Sequence, residues 1–134
     1  PYTVLKIVRA GYHACALLSN QRVKCWGHGL WWGRLGLANA DEDMGDHPNE
    51  LGNNLPFVDL GTDGLGNPWQ VVDIGVGDLN SCALMSNGGV KCWGAGRMTG
   101  TNDYVGRYGG MGNALPFLDL GGQALQLSVG YRHA

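Results

Sequence analysis

His13-Ala-Cys-Ala-Leu-Leu-Ser-Asn-Gln-Arg-Val-Lys-Cys-Trp-Gly27 is written twice in this chain. The second copy is Asn80-Ser-Cys-Ala-Leu-Met-Ser-Asn-Gly-Gly-Val-Lys-Cys-Trp-Gly94. Cys15 to Cys82 is a step of 67 residues, and so is Cys25 to Cys92. Self-similarity at a fixed period marks an array in which each copy is one supersecondary unit. Folded about Asn20, the first copy sets Leu17 against Val23 and Cys15 against Cys25. Folded about Asn87, the second sets Leu84 against Val90 and Cys82 against Cys92. Side chains alternate along a strand, so each set of four shares one sheet face. Ser86-Asn87-Gly88 suits a three-residue turn ending in a left-handed residue, where Gly costs least. Gln21 holds that place in the first copy, so its turn is expected to be the more strained.

Residues directly opposite in a hairpin bring their β-carbons within disulfide reach. The pairs expected are therefore Cys15–Cys25 and Cys82–Cys92. Each pair has nine intervening residues, unlike zinc ligand pairs, which sit about two to four apart. Two hairpin disulfides point to an oxidising compartment, extracellular or at the cell surface.

The chain has 134 residues, a formal net charge of −2, 15% charged residues and 24 glycines. No basic patch points to nucleic acid, and no apolar run is long enough to insert in a membrane. The glycines lie between apolar runs, as turns of an all-β protein do. The chain opens on Pro1 without a signal peptide, which reads as a processed product or a piece of something longer.

A leading strand precedes each hairpin. Thr3–Val8 recurs as Gln70–Gly75 and again as Gln123–Ser128. That third copy runs out at Ala134, where the pattern next asks for a Cys, so the array reads as interrupted in mid-repeat. Behind each hairpin comes a Gly-rich loop, then Leu55-Pro-Phe-Val-Asp-Leu-Gly61 or Leu115-Pro-Phe-Leu-Asp-Leu-Gly121. Pro beside an apolar run marks an edge strand or a strand start. The expected fold is all-β and propeller-like, with two four-stranded blades and a partial third. The expected division is residues 1–73, 74–126 and 127–134.

The sequence also resembles a known family. Ala10-Gly11-Tyr12-His13, Cys15-Ala16-Leu17, Val23-Lys24-Cys25-Trp26-Gly27 and Gly33-Arg34-Leu35-Gly36 look like the repeat of the regulator of chromosome condensation superfamily in its Cys-bearing, secreted form. In the second copy Cys82-Ala83-Leu84 and Val90 to Gly94 match, while Asn80 replaces the His and Gly-x-Leu-Gly is lost. The resemblance implies a seven-bladed propeller, and two repeats cannot close one, since closure takes at least about four blades.

Trp26, Trp93, Phe57 and Phe117 recur in register and are read as inter-blade packing. Trp31-Trp32 has no counterpart in the second copy and is the candidate contact site for a partner. Asp41, Glu42, Asp43 and Asp46 form the densest acidic cluster. Asp41, Asp43 and Asp46 are the candidate calcium ligands, against the plainer reading of a solvated loop. No other cofactor is expected. Asp59 and Asp119, beside turn glycines, are read as Asx-type turns. His13 and His133 are read as inter-blade or backbone hydrogen bonders. No nucleophile motif, phosphate loop or catalytic carboxylate pair stands out.

The function expected is a non-enzymatic extracellular structural or interaction module that binds further copies of itself through open blade edges, as a surface or filament component. The alternative is a protein-binding propeller, inhibitor or receptor-like, using Trp31 and Trp32. Nucleotide exchange, known in the nuclear branch of the family, is a weaker alternative, since hairpin disulfides argue against it.

Overall fold

Alternating β-branched and apolar residues build six strands. These are β1 (Val4–Arg9), β2 (His13–Leu18), β3 (Val23–Gly27), β4 (Val71–Val76), β5 (Asn80–Met85) and β6 (Val90–Gly94). The computed structural model describes residues 2–29, 33–38, 43–95, 105–106 and 109–129. Two antiparallel three-stranded sheets result, β1-β2-β3 and β4-β5-β6. The hairpin register sets Cys15 opposite Cys25 and Leu17 opposite Val23, with Cys82 opposite Cys92 and Leu84 opposite Val90 in the second sheet. A bulge between Val4 and Lys6 recurs between Val71 and Asp73, so the repeat extends to its irregularities.

The two sheets stack. β4 packs against β2 and β1. The Cys face of the first sheet (Cys15, Leu17, Val23, Cys25) meets the opposite face of the second (Val71, Ile74, Ala83, Met85, Trp93), and this seam is the main core. The Cys face of the second sheet (Cys82, Leu84, Val90, Cys92) is covered in turn by Leu118, Ala124, Leu127 and Val129. The same backbone bonds fix both layers. Val71 N donates to Gln21 O at 2.9 Å, and Ala124 N to Gly88 O at 2.8 Å. Gln21 and Gly88 are the same turn residue one repeat apart.

Three expectations are corrected. The fourth segment of each blade does not form a ladder. Pro56 and Pro116 have no N–H to donate, and the segment is tied to the sheet edge by Val58 N to Val23 O and Leu118 N to Val90 O, both 2.8 Å. The division at 73/74 falls inside β4, because the strand that packs on the first sheet is hydrogen-bonded into the second. The third copy of the leading strand, at 123–128, lies on the second sheet without forming a strand.

Candidate interaction surface and the blade seam

The repeat period brings unlike residues together across the seam. Ser81 stands one period after Ala14, and its hydroxyl donates to Arg34 O at 2.8 Å. Trp93 Nε1 donates to the same carbonyl at 3.0 Å. With the Ser81 proton committed there, His13 Nε2–H donates to Ser81 Oγ at 2.7 Å. Arg34 reaches back to the Asp78 carbonyl at 2.6 Å, and Asp78 Oδ1 accepts from Gly11 N at 3.1 Å. Lys6 and Asp73, another pair one period apart, meet at 2.6 Å.

The His13–Ser81 pair is a link and not a nucleophile with its base. Both residues are buried, and the Ser81 proton points away from the imidazole. Burial, with the Arg34 charge second, pushes His13 down to about 3, so the ring is neutral at physiological pH. Burial also draws the Arg34 guanidinium below its ordinary value. Gly36 passes so close to the indole that a β-carbon there would sit 2.7 Å from Trp93 Nε1, at a φ of +67°.

The Cys15 and Cys25 sulfurs lie at bonding distance, 2.05 Å, as do those of Cys82 and Cys92 at 2.00 Å. Trp93 is fully buried in the seam, whereas Trp26 is half-buried. Phe57 lies under Arg22 and Lys24, with ring-centroid distances of 4.3 and 4.8 Å. Phe117 lies under Lys91 at 4.8 Å and edge-on to Trp69 at 5.3 Å. The phenylalanines therefore serve as platforms for lysines that also bond backbone carbonyls, Lys24 to Gly52 O and Lys91 to Leu60 O, each at 2.7 Å. Burial pulls Lys91 below the usual lysine value.

Trp31, Trp32 and Asp41 lie outside the described residues. The proposed calcium ligands within them are drawn to different partners. Asp43 accepts from Gly29 N at 2.8 Å and pairs with His28 at 2.8 Å, while Asp46 pairs with His47 at 3.0 Å. Among the described residues, the three-residue group able to hold a metal is Asp46, His47 and Glu50, whose ligand atoms lie within 4.8 Å of one another at the surface. Asp59 and Asp119 accept from Gly61 N and Gly121 N, at 3.0 and 3.1 Å, the local turn bonds expected.

The surface feature that composition does not reveal is the outward face of β1. Val4 and Ile7 are 50% and 59% exposed, while Val71 and Ile74, one period later, are each 1% exposed. Trp26 and Trp93 repeat the contrast. Of three positions buried in the seam on the second blade, two stand open on the first and the third, Trp26, is half-buried.

Residues 71–98 match the family model described as "Regulator of chromosome condensation (RCC1) repeat". This stretch is similar to an RCC1-type repeat. The first copy pairs its strands in the same register and shares the Cys-Ala-Leu and Val-Lys-Cys-Trp-Gly segments, so the hairpin of the matched stretch recurs in the chain. The crystal structure of human WBSCR16 aligns at 19% identity and a TM-score of 0.57, over 95% of this chain and 29% of that one. A chain in the crystal structure of Kap60 bound to yeast RCC1 (Prp20) aligns at 14% identity and 0.51, over 81% of this chain and 24% of that one. The chain therefore spans less than a third of either structure's length, and the likeness shows the fold. No curated protein matches the chain. The signal for Arg34 and Ser81, which the sequence reading passed over, was a polar residue between Gly33 and Gly36 and a Ser where the sister copy has Ala14.

Proposed function

We propose that this chain is a non-enzymatic protein-interaction module whose contact surface is the outward face of β1. The observation that carries this reading is the contrast of Val4, Ile7 and Trp26 with Val71, Ile74 and Trp93. The same repeat positions that pack on a neighbouring blade inside the chain are offered at its first blade with Val4 and Ile7 exposed and Trp26 half-buried. Exposed apolar surface of that kind marks an interaction site. The partner is a second copy of this chain, docking its 118–129 end, where Leu120 and Leu125 are 58% and 95% exposed. Such a contact is heterologous, so it propagates head to tail, as a ring if its rotation closes and as a filament if it does not.

The yeast RCC1 structure is a complex with Kap60, and binding to another protein is carried over from it only as part of this proposal. The hairpin disulfides support an extracellular setting. Alkylation without reductant and peptide mapping of protein from its native source are expected to find Cys15, Cys25, Cys82 and Cys92 unmodified, and all four alkylated would contradict that setting.

The contact is tested by replacing Val4 and Ile7 together with Asp and following mass by analytical ultracentrifugation. Both side chains are exposed, so the variant is expected to fold and to remain monomeric where the unaltered chain associates. Equal association of the two proteins would remove β1 as the contact surface.

A further inference from the structure

We propose that the cleft between the first hairpin turn and the start of the second blade binds a neutral saccharide. The cleft measures about 410 Å³ and is lined by Arg22, Asp63, Asn67, Trp69, Gln70 and Ser86, among others. That volume falls in the range of small-molecule sites, about 300–1,000 Å³.

Its walls are held in place. Trp69 N donates to Gly61 O at 3.2 Å, and the indole packs edge-on to Phe117. Ser86 N donates to Gln70 O at 2.8 Å, which ties the second hairpin turn to the strand leading into the cleft. Asp63 Oδ1 accepts from Leu65 N and Asn67 N at 2.8 and 3.0 Å, fixing the outer loop. These bonds keep Asp63 below its ordinary carboxylate value, so it stays ionised.

The chemistry of the lining selects the ligand class. One guanidinium and one carboxylate balance, so neither an anion nor a cation is favoured. Amides and a hydroxyl supply donors and acceptors side by side, as neighbouring sugar hydroxyls require. A partly exposed indole supplies the flat apolar surface that the C–H face of a pyranose ring needs. A purely apolar ligand would leave the amides unpaired at a cost. The site is separate from the outward face of β1 and does not depend on self-association.

The test is a titration of the isotopically labelled, disulfide-intact chain with the methyl glycosides of glucose, galactose, mannose and N-acetylglucosamine, read by NMR. At least one glycoside is expected to shift the Trp69 indole and the Gln70 and Ser86 amide signals saturably. Asn67→Ala and Gln70→Ala, both at exposed side chains, are expected to weaken that binding about tenfold each. The proposal is overturned if no glycoside saturates, if the shifts fall elsewhere, or if both variants bind as the parent does. Inorganic phosphate binding in the cleft with no response to the glycosides would also overturn it, since the charge balance would then be wrong.

Discussion

Ser81 differs from its sister Ala14 by one hydroxyl, and that oxygen joins His13 of the first blade to the Arg34 carbonyl. The buried imidazole makes this link sensitive to acid. Its folded value of about 3 lies below the ordinary 6.5. Above 6.5 both folded and unfolded chains carry neutral His13, and the link is fully stable. As pH falls from 6.5 toward 3 the unfolded chain takes up a proton that the folded one refuses. Stability then drops by up to about 1.4 kcal/mol per pH unit from this group. His13→Asn, the residue that the second copy has at Asn80, removes the titration. Thermal melts between about pH 7 and pH 4 are expected to fall less steeply for the variant than for the parent, and parallel curves would mean that His13 protonates freely in the fold. At this scale the sequence was half legible. The recurrence of His13 marked it as a link, but a link has two ends. Ser81 and Arg34 come from positions 68 and 21 residues away, and nothing local announces that they meet.

The hairpins were the most legible elements, because alternation and turn chemistry are both local. The turn residue Gln21 sits at a φ of 62° and its sister Gly88 at 81°. A left-handed conformation disfavours a side chain, by about 1–2 kcal/mol, and Gly regains part of this while adding freedom to the unfolded chain. Gln21→Gly is therefore expected to raise stability in urea unfolding by up to about 1 kcal/mol, and a loss would show that the Gln21 side chain contributes more than its backbone costs. The fourth segment of each blade was less legible. Leu-Pro-Phe-x-Asp-Leu-Gly has strand-like composition, yet its proline lacks a donor and its Asp turns back on its own backbone at Asp59 and Asp119. Those local bonds compete with a ladder, and one bond per blade to the sheet edge remains.

For the whole molecule, the repeat was plain in the sequence but its direction was not. Val-Lys-Cys-Trp-Gly is identical in the two copies, and still Trp93 is buried and Trp26 half-open. Burial here is set by which blade stands in front, which is tertiary context that no window of sequence contains. The pairing within the acidic loop is tertiary context of the same kind. Asp43 and Asp46 are three residues apart in sequence, but His28 and His47 claim them separately. Self-association is proposed to seat the 118–129 end of a second copy on the open face of β1. The most direct test is the native mass of the disulfide-intact chain across a dilution series. Species heavier than 14.3 kDa that fall to 14.3 kDa on dilution are expected. A mass of 14.3 kDa at every concentration, up to the highest that stays soluble, would contradict the proposed association.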